Sequence, residues 1–335
     1  GFSLFLRPAA VIFLDFGGAM SGSPGALSPK LNIADLKGKV AIISGATRGI
    51  GKACAVALAK QGCNIVVAAK TTTPQPTLPG TIYSVAEELE QMGVQALPVK
   101  VDMRSLDDVK ECVRQTVNKF GRIDILINNA SALWWQRIED TPMNKYDLIT
   151  QINTRGSFAL THLCLPIMAK NGFGRVICMS PPIQTDFRAY KGFTAYNISK
   201  FGMTMSALGA AAEYEGQGIT GNSLWPATVI ESQASKNFEL GGREMWRKAQ
   251  ILSDCVLGLV SSEDSFTGNQ LIDDEYLQDV HGLTDEDLAV YRCVPDVEPP
   301  RALASHGHMG SATVRRGDVR RLDTDVKKSS ALSKL

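Results

Sequence analysis

The chain has 335 residues, 44% hydrophobic and 21% charged, with 35 Lys and Arg against 34 Asp and Glu. That much apolar side chain can bury a core, which excludes a wholly disordered chain, and the 30 glycines follow no period of three, which excludes a collagen-like one. A net charge of +1 gives no whole-chain case for nucleic acid or membrane binding, yet it hides an asymmetry: residues 299–335 carry +5 and the remainder −4.

Residues 1–35 are expected to be a flexible extension. The first twenty hold Arg7 and Asp15 as their only charges, and 21–30 are turn-formers. Either this is an upstream extension with Met20 opening the working chain, or it is a targeting presequence. From Lys39 the pattern is regular. Strands are predicted at Val40–Ser44, Asn64–Ala69, Ala96–Val101, Ile123–Ile127, Arg175–Ser180, Ile219–Leu224 and Gln270–Ile272, several of them apolar throughout, as a sheet covered on both faces requires. Helices are predicted at Ala53–Gly62, Ile82–Met92, near 143–170 and from Thr194 to Tyr214. Another starts at Ser105 and closes at Gly121, with Leu106, Val109, Val113, Val117 and Phe120 at helical spacing. Strand and helix alternate, so the expected fold is α/β: a Rossmann-type doubly wound parallel sheet in one domain over 36–295.

Residues 296–335 read as a flexible basic tail. It ends in Ser333, Lys334 and Leu335, the kind of tripeptide bound by the peroxisomal import receptor, so the expected location is the peroxisome, with mitochondrion or cytoplasm as alternatives. No apolar stretch is long enough to span a bilayer. The seven cysteines form no C-x-x-C pair and read as reduced, buried thiols; no metal site is expected.

The first strand runs into Gly45-Ala46-Thr47-Arg48-Gly49-Ile50-Gly51. Gly45 allows the tight turn, Gly49 lets backbone approach a pyrophosphate, and Gly51 lets the following helix pack on the strand. The helix start then points free N–H groups at the anion. At the end of the second strand, a carboxylate would bind a ribose 2′-hydroxyl. Here stands Lys70, with Arg48 beside it, and two cations without an acid favour NADP (NADPH) over NAD. Asp102 after the third strand is placed to accept from the adenine amino group. Asn129, in Asn128-Asn129-Ala130 after the fourth, is placed either to satisfy backbone groups or to touch the ribose.

Tyr196 alone among seven tyrosines has a lysine four residues on, Lys200, which puts both on one helical face about 5–6 Å apart. A free phenol titrates near pH ~10, and a neighbouring ammonium favours its ionised form. Ser180, ending the fifth strand, is expected to point into the same cleft and hold the substrate oxygen while Tyr196 moves the proton. Asn153 either holds a water that links Lys200 to solvent or bends its helix.

Gly45–Gly51, Asn128-Asn129-Ala130, Asn153, Ser180, Tyr196 and Lys200 stand in the order of the short-chain dehydrogenase/reductase family, which the chain resembles over about 40–275. The resemblance implies an Asn-Ser-Tyr-Lys tetrad, hydride transfer at the nicotinamide C4, coenzyme contacts that include Pro226 after the sixth strand, and a homodimer or homotetramer. Two features depart from the family: Ser44 stands where Thr is usual, and Ser180 and Tyr196 are sixteen residues apart with Pro181 and Pro182 between them. Leu133, Trp134, Trp135, Phe238, Met245 and Trp246 are expected either to wall a pocket for a lipid-like alcohol or carbonyl, closed over by residues 227–250, or in part to pack the core or a subunit interface. The alternatives are an NADP(H)-binding protein with little catalysis and an enoyl- or dienoyl-CoA-type double-bond reductase.

Overall fold

The computed structural model describes residues 30–74 and 80–304. The expectations for residues 1–29 and for the tail from 305, Ser333, Lys334 and Leu335 included, lie outside the described residues. The central sheet has seven parallel strands in the order β3-β2-β1-β4-β5-β6-β9. They are β1 (Val40–Ser44), β2 (Asn64–Ala69), β3 (Ala96–Lys100), β4 (Ile125–Asn128), β5 (Gly174–Met179), β6 (Ile219–Trp225) and β9 (Gln270–Ile272). The order reverses between β1 and β4, the place where an open α/β sheet leaves a crevice beyond its strand ends.

The apolar strands are buried on both faces. In β1, Ala41 and Ile43 face one core, shared with Leu58 of α1 (Gly49–Lys60), Leu89 of α2 (Ile82–Glu90) and the helix at 250–261. Val40 and Ile42 face the other, shared with Val109 and Val113 of α3 (Leu106–Phe120) and Leu160 and Met168 of α5 (Ser157–Asn171). Of the five residues given to the α3 stripe, Leu106 is exposed, because it opens the helix beyond the sheet; Cys112 and Thr116 are buried on that face instead.

Several differences from the predicted elements have physical reasons. Helix α1 begins at Gly49 rather than Ala53, because the glycine loop turns directly into it. Segment 143–170 is three pieces: α4 (Met143–Ile149), a π-helical turn over Thr150–Gly156, and α5. Helix α6 (Thr194–Glu213) carries the Tyr196/Lys200 pair. Beyond β6, β7 (Val229–Ile230), α7 (Gln233–Asn237) and β8 (Trp246–Arg247) form a small ordered cover. Helix α8 (Gln250–Ser261) has no sequence-based counterpart, because ten consecutive residues, Ile251–Val260, are buried and an all-round apolar helix shows no period. All seven cysteines are unpaired and buried, as read from their spacing.

The fold also runs past residue 295. Ala302 is buried in a cluster with Trp135, Phe193, Tyr196 and Trp225, and the Leu303 amide donates to the Ala227 carbonyl at 2.9 Å. Glu298 pairs with Arg247 at 2.5 Å, and Arg301 holds Asp274 at 2.8 Å and also pairs with Glu275. A chain ended at residue 295 leaves Arg247, itself 4% exposed, without Glu298. It is expected to lose on the order of 2–3 kcal/mol, lowering Tm by several degrees. Thermal unfolding of chains ended at 295 and at 304 checks this, and equal midpoints count against the strap.

Among the described residues, no helix is long and apolar enough to cross a membrane.

Candidate active site

A cleft of about 540 Å³ opens over the strand ends at the point of order reversal. Gly45, Thr47, Arg48, Gly49, Ile50, Lys70, Asp102 and Asn129 line it, so the sequence-assigned coenzyme residues of the loop and of the next three strand ends come together. Gly45 adopts φ +71°, a left-handed conformation that favours glycine. A Cβ on Gly51 would sit 2.4 Å from the Gly45 carbonyl oxygen and 2.5 Å from Asn129 Nδ2, so no larger residue fits without moving backbone. Gly51 itself lies behind the cleft wall, where it lets α1 start close to β1. The amides opening α1 and the flanking Arg48 and Lys70 form a donor set that fits the pyrophosphate and ribose ends of a nicotinamide dinucleotide.

Asn129 has a bracing role: its Nδ2 donates to the Ser44 carbonyl at 2.9 Å and to that of Gly45 at 3.3 Å. The Ser44 hydroxyl accepts from the Asn129 and Ala130 amides, both at 3.0 Å, so serine in place of the family's usual Thr still stitches β1 to the end of β4. Asn128 is buried and donates to Thr161 at 3.0 Å.

Around Lys70 the charges are shared. Lys70 lies 3.8 Å from Asp102, whose carboxylate accepts from Arg104 Nε at 2.9 Å, and Arg48 donates to Thr71 at 3.1 Å. Arg104 above all, with Lys70 adding, holds Asp102 down to about 2. The oxygens expected to accept from adenine are therefore engaged by a cation the sequence reading did not single out. Pro226 is buried directly after β6 and is not part of the cleft lining, because the Ala227 amide next to it is tied inward to Asp273 at 2.8 Å.

Tyr196 and Lys200 share one face of α6 and are both buried. The Lys200 ammonium donates to the Met179 carbonyl at the end of β5 at 2.8 Å and lies 5.9 Å from the Tyr196 ring centre. The expected lowering of the phenol pKa is reversed here: burial pushes the Tyr196 phenol up, and burial pulls Lys200 down to about 7. The side chain that opposes the phenol's shift is Ser131, through a hydrogen bond, and not Lys200.

Ser180 does not point into this cleft. It is fully buried, outside the cleft lining, and its Oγ accepts from Thr204 on α6 at 2.8 Å. The same Thr204 hydroxyl lies 2.8 Å from the Pro181 carbonyl, so the turn into Pro181-Pro182 is tied to α6 one helical turn beyond Lys200. The added residues bulge outward as expected, with Phe187 80% exposed, while the Ser180 oxygen is engaged by Thr204. Asn153 sits in the π-helical turn with its Oδ1 accepting from the Ala132 amide at 2.8 Å. Its Nδ2 donates to the Ala132 carbonyl at 3.0 Å and to Ser199 at 2.9 Å. Both amide protons are thus spent clamping segment 131–133 to α6.

Of the expected pocket wall, Leu133, Trp134 and Phe238 line the cleft. Trp135 is buried against Phe193 and Tyr196, with centroids 5.2 and 6.1 Å away. Met245 and Trp246 pack with Val229 and Cys293 behind the cover, where Trp246 Nε1 donates to the Leu240 carbonyl at 2.8 Å. Cleft residues the sequence reading missed include Met103, Arg104, Ser131 and Lys145. For Ser131 a signal was present: a hydroxyl directly after Asn-Asn-Ala at a strand end.

The short chain dehydrogenase family model matches residues 39–240, and the chain belongs to that family. Among curated relatives it is similar to hydroxysteroid dehydrogenase-like protein 2 of Xenopus tropicalis, 39% identical over 306 residues, 88% of this chain and 72% of that one. The Homo sapiens protein of that name is 41% identical over 267 residues, 79% of this chain and 62% of that one. Among solved structures, a short chain dehydrogenase of Mycobacterium thermoresistibile has a TM-score of 0.73 at 39% identity, covering 79% of this chain and 94% of that one. A 7α-hydroxysteroid dehydrogenase complexed with NADH and 7-oxo glycochenodeoxycholic acid has a TM-score of 0.62 at 25% identity, covering 74% and 96%.

Proposed function

We propose that the chain is an NADP-dependent oxidoreductase that moves a hydride between the nicotinamide and an alcohol or carbonyl of a lipid-like substrate. The observation that carries this reading is the Tyr196/Lys200 pair, buried one helical turn apart behind the wall of the cleft, where Leu133, which lines the cleft, packs on the cluster that holds Tyr196. Gly45, Arg48 and Lys70 would hold a nicotinamide dinucleotide in that cleft, and the bound coenzyme would supply the hydride for the carbonyl carbon. Tyr196 gives its phenolic proton to the carbonyl oxygen, forming the alcohol, and draws a proton from solvent afterwards. Burial keeps Tyr196 protonated until then. Lys200, tied to the end of β5, holds the cationic end of its side chain at a fixed place beside the phenol.

Apolar Leu133, Trp134 and Phe238 along the cleft favour a lipid-like substrate, in keeping with the hydroxysteroid named for the relatives. In the same reading the chain forms a dimer or tetramer, supported by the exposed apolar Phe158, Ile198 and Met205 on α5 and α6. The peroxisomal import receptor is its carrier, on the strength of Ser333, Lys334 and Leu335.

Absorbance of NADPH over a panel of steroid, acyl-CoA and aldehyde carbonyls tests the activity. Turnover in one class, with alcohol as product, is expected. Tight NADPH binding without turnover would mark a coenzyme-binding protein instead, and a saturated carbon–carbon bond in the product would mark a double-bond reductase.

The coenzyme choice has its own test. Lys70→Asp sets a second acid beside Asp102 and is expected to raise the NADPH KM about 10–100-fold, with the NADH value moving only a few-fold. Steady-state kinetics with both coenzymes measures it; equal changes would overturn the NADP assignment.

A further inference from the structure

We infer that Ser131, and not Ser180, is the hydroxyl that serves Tyr196: it donates a hydrogen bond to the phenol oxygen and stabilises the phenolate left when the proton moves. This rests on the proton-transfer role given to Tyr196 above and assigns it a positioning partner.

Three features place Ser131 there. It is exposed on the cleft wall, whereas Ser180 is fully buried with its oxygen accepting from Thr204. The segment that carries it is packed on the tyrosine: Trp135 meets the Tyr196 ring edge-on, and Leu133 joins the same cluster. That segment is also clamped from two sides. The Ser44 hydroxyl fixes the Asn129 and Ala130 amides, and Asn153 grips both backbone groups of Ala132. Ser131 lies between these two clamps, so its backbone is held beside the tyrosine's cluster, with its hydroxyl 3.4 Å from the Ala132 carbonyl.

The physical effect follows from burial. A phenol deep in protein resists ionising, and a hydroxyl donating to its oxygen favours the ionised form. Ser131 is the side chain that acts in this sense on Tyr196. Asn153 therefore contributes through the backbone of Ala132, holding the loop that presents Ser131.

The test is NADPH-dependent reduction of 9,10-phenanthrenequinone by the whole chain, followed from neutral to alkaline pH. The variants are Ser131→Ala, Ser131→Thr, Ser180→Ala and Tyr196→Phe, with NADPH affinity from its fluorescence and folding from thermal midpoints. Ser131→Ala is expected to lower kcat about tenfold at unchanged NADPH affinity and to move the alkaline limb of the kcat profile to higher pH. Ser131→Thr restores both, and Ser180→Ala leaves the limb in place. A Ser131→Ala profile matching the wild type while Ser180→Ala loses turnover overturns the assignment, as does a tenfold loss of NADPH affinity in Ser131→Ala. Full activity in Tyr196→Phe, or no reduction by the wild type, sinks the proposed function instead.

Discussion

Tyr196→Phe is expected to lower turnover by about 10²–10⁴-fold while NADPH affinity changes less than about threefold. The substitution removes one oxygen and keeps the ring, so the edge-on contact with Trp135 and the packing on Phe193 and Ala302 survive. What is lost is the proton donor and its bond to Ser131. Because the phenol is buried, its deletion leaves no unpaired charge, and the thermal midpoint should stay within a few degrees of the wild type. Stopped-flow reduction with a saturating carbonyl, beside fluorescence titration with NADPH, separates the two effects. A variant that turns over at the wild-type rate would remove the phenol from the chemistry.

Lys200→Met is expected to do something less intuitive: abolish most turnover and stabilise the coenzyme-free chain. Lys200 is fully enclosed, and burial holds its ammonium down to about 7, against about 10.4 for a free lysine. Between those values the unfolded chain binds a proton that the folded chain gives up. Stability therefore rises with pH across that window, and the burden is fully present below its lower edge. A methionine of similar length carries no such burden, although it orphans the Met179 carbonyl. The net gain is on the order of 1–3 kcal/mol at neutral pH, several degrees in Tm, fading as pH approaches that of free lysine. Midpoints measured at a series of pH values check the sign; a variant less stable than wild type at neutrality contradicts it. A site that lowers its own protein's stability in this way is what a trade of stability for chemistry looks like.

The parallel core was legible because strands covered on both faces must be apolar throughout, and β1, β2 and β9 came out with the predicted ends. The coenzyme loop was legible because backbone geometry at Gly45 and Gly51 admits no other residue type without rearrangement. Tyr196 and Lys200 were legible because their relation is local, one turn along a helix. What stayed hidden depends on distance in space. Nothing in the spacing of Ser180 told that Thr204 would capture its hydroxyl. Nothing around Ser131 told that a loop eighty-five residues from Ser44 would be stitched to it. The direction of the phenol's shift was hidden as well, because it is set by burial, which no local pattern measures. Arg301 and Glu298 looked like parts of a free basic tail because their partners, Asp274 and Arg247, lie tens of residues upstream.

That last segment matters for anyone who cuts or joins this protein. Ala302 shares a buried cluster with Tyr196, and its neighbour Leu303 is laced to the backbone just past β6. A tag, a fusion joint or a protease nick placed within 296–304 would thus disturb the packing around Tyr196 from behind, at a distance along the chain from every residue that lines the cleft.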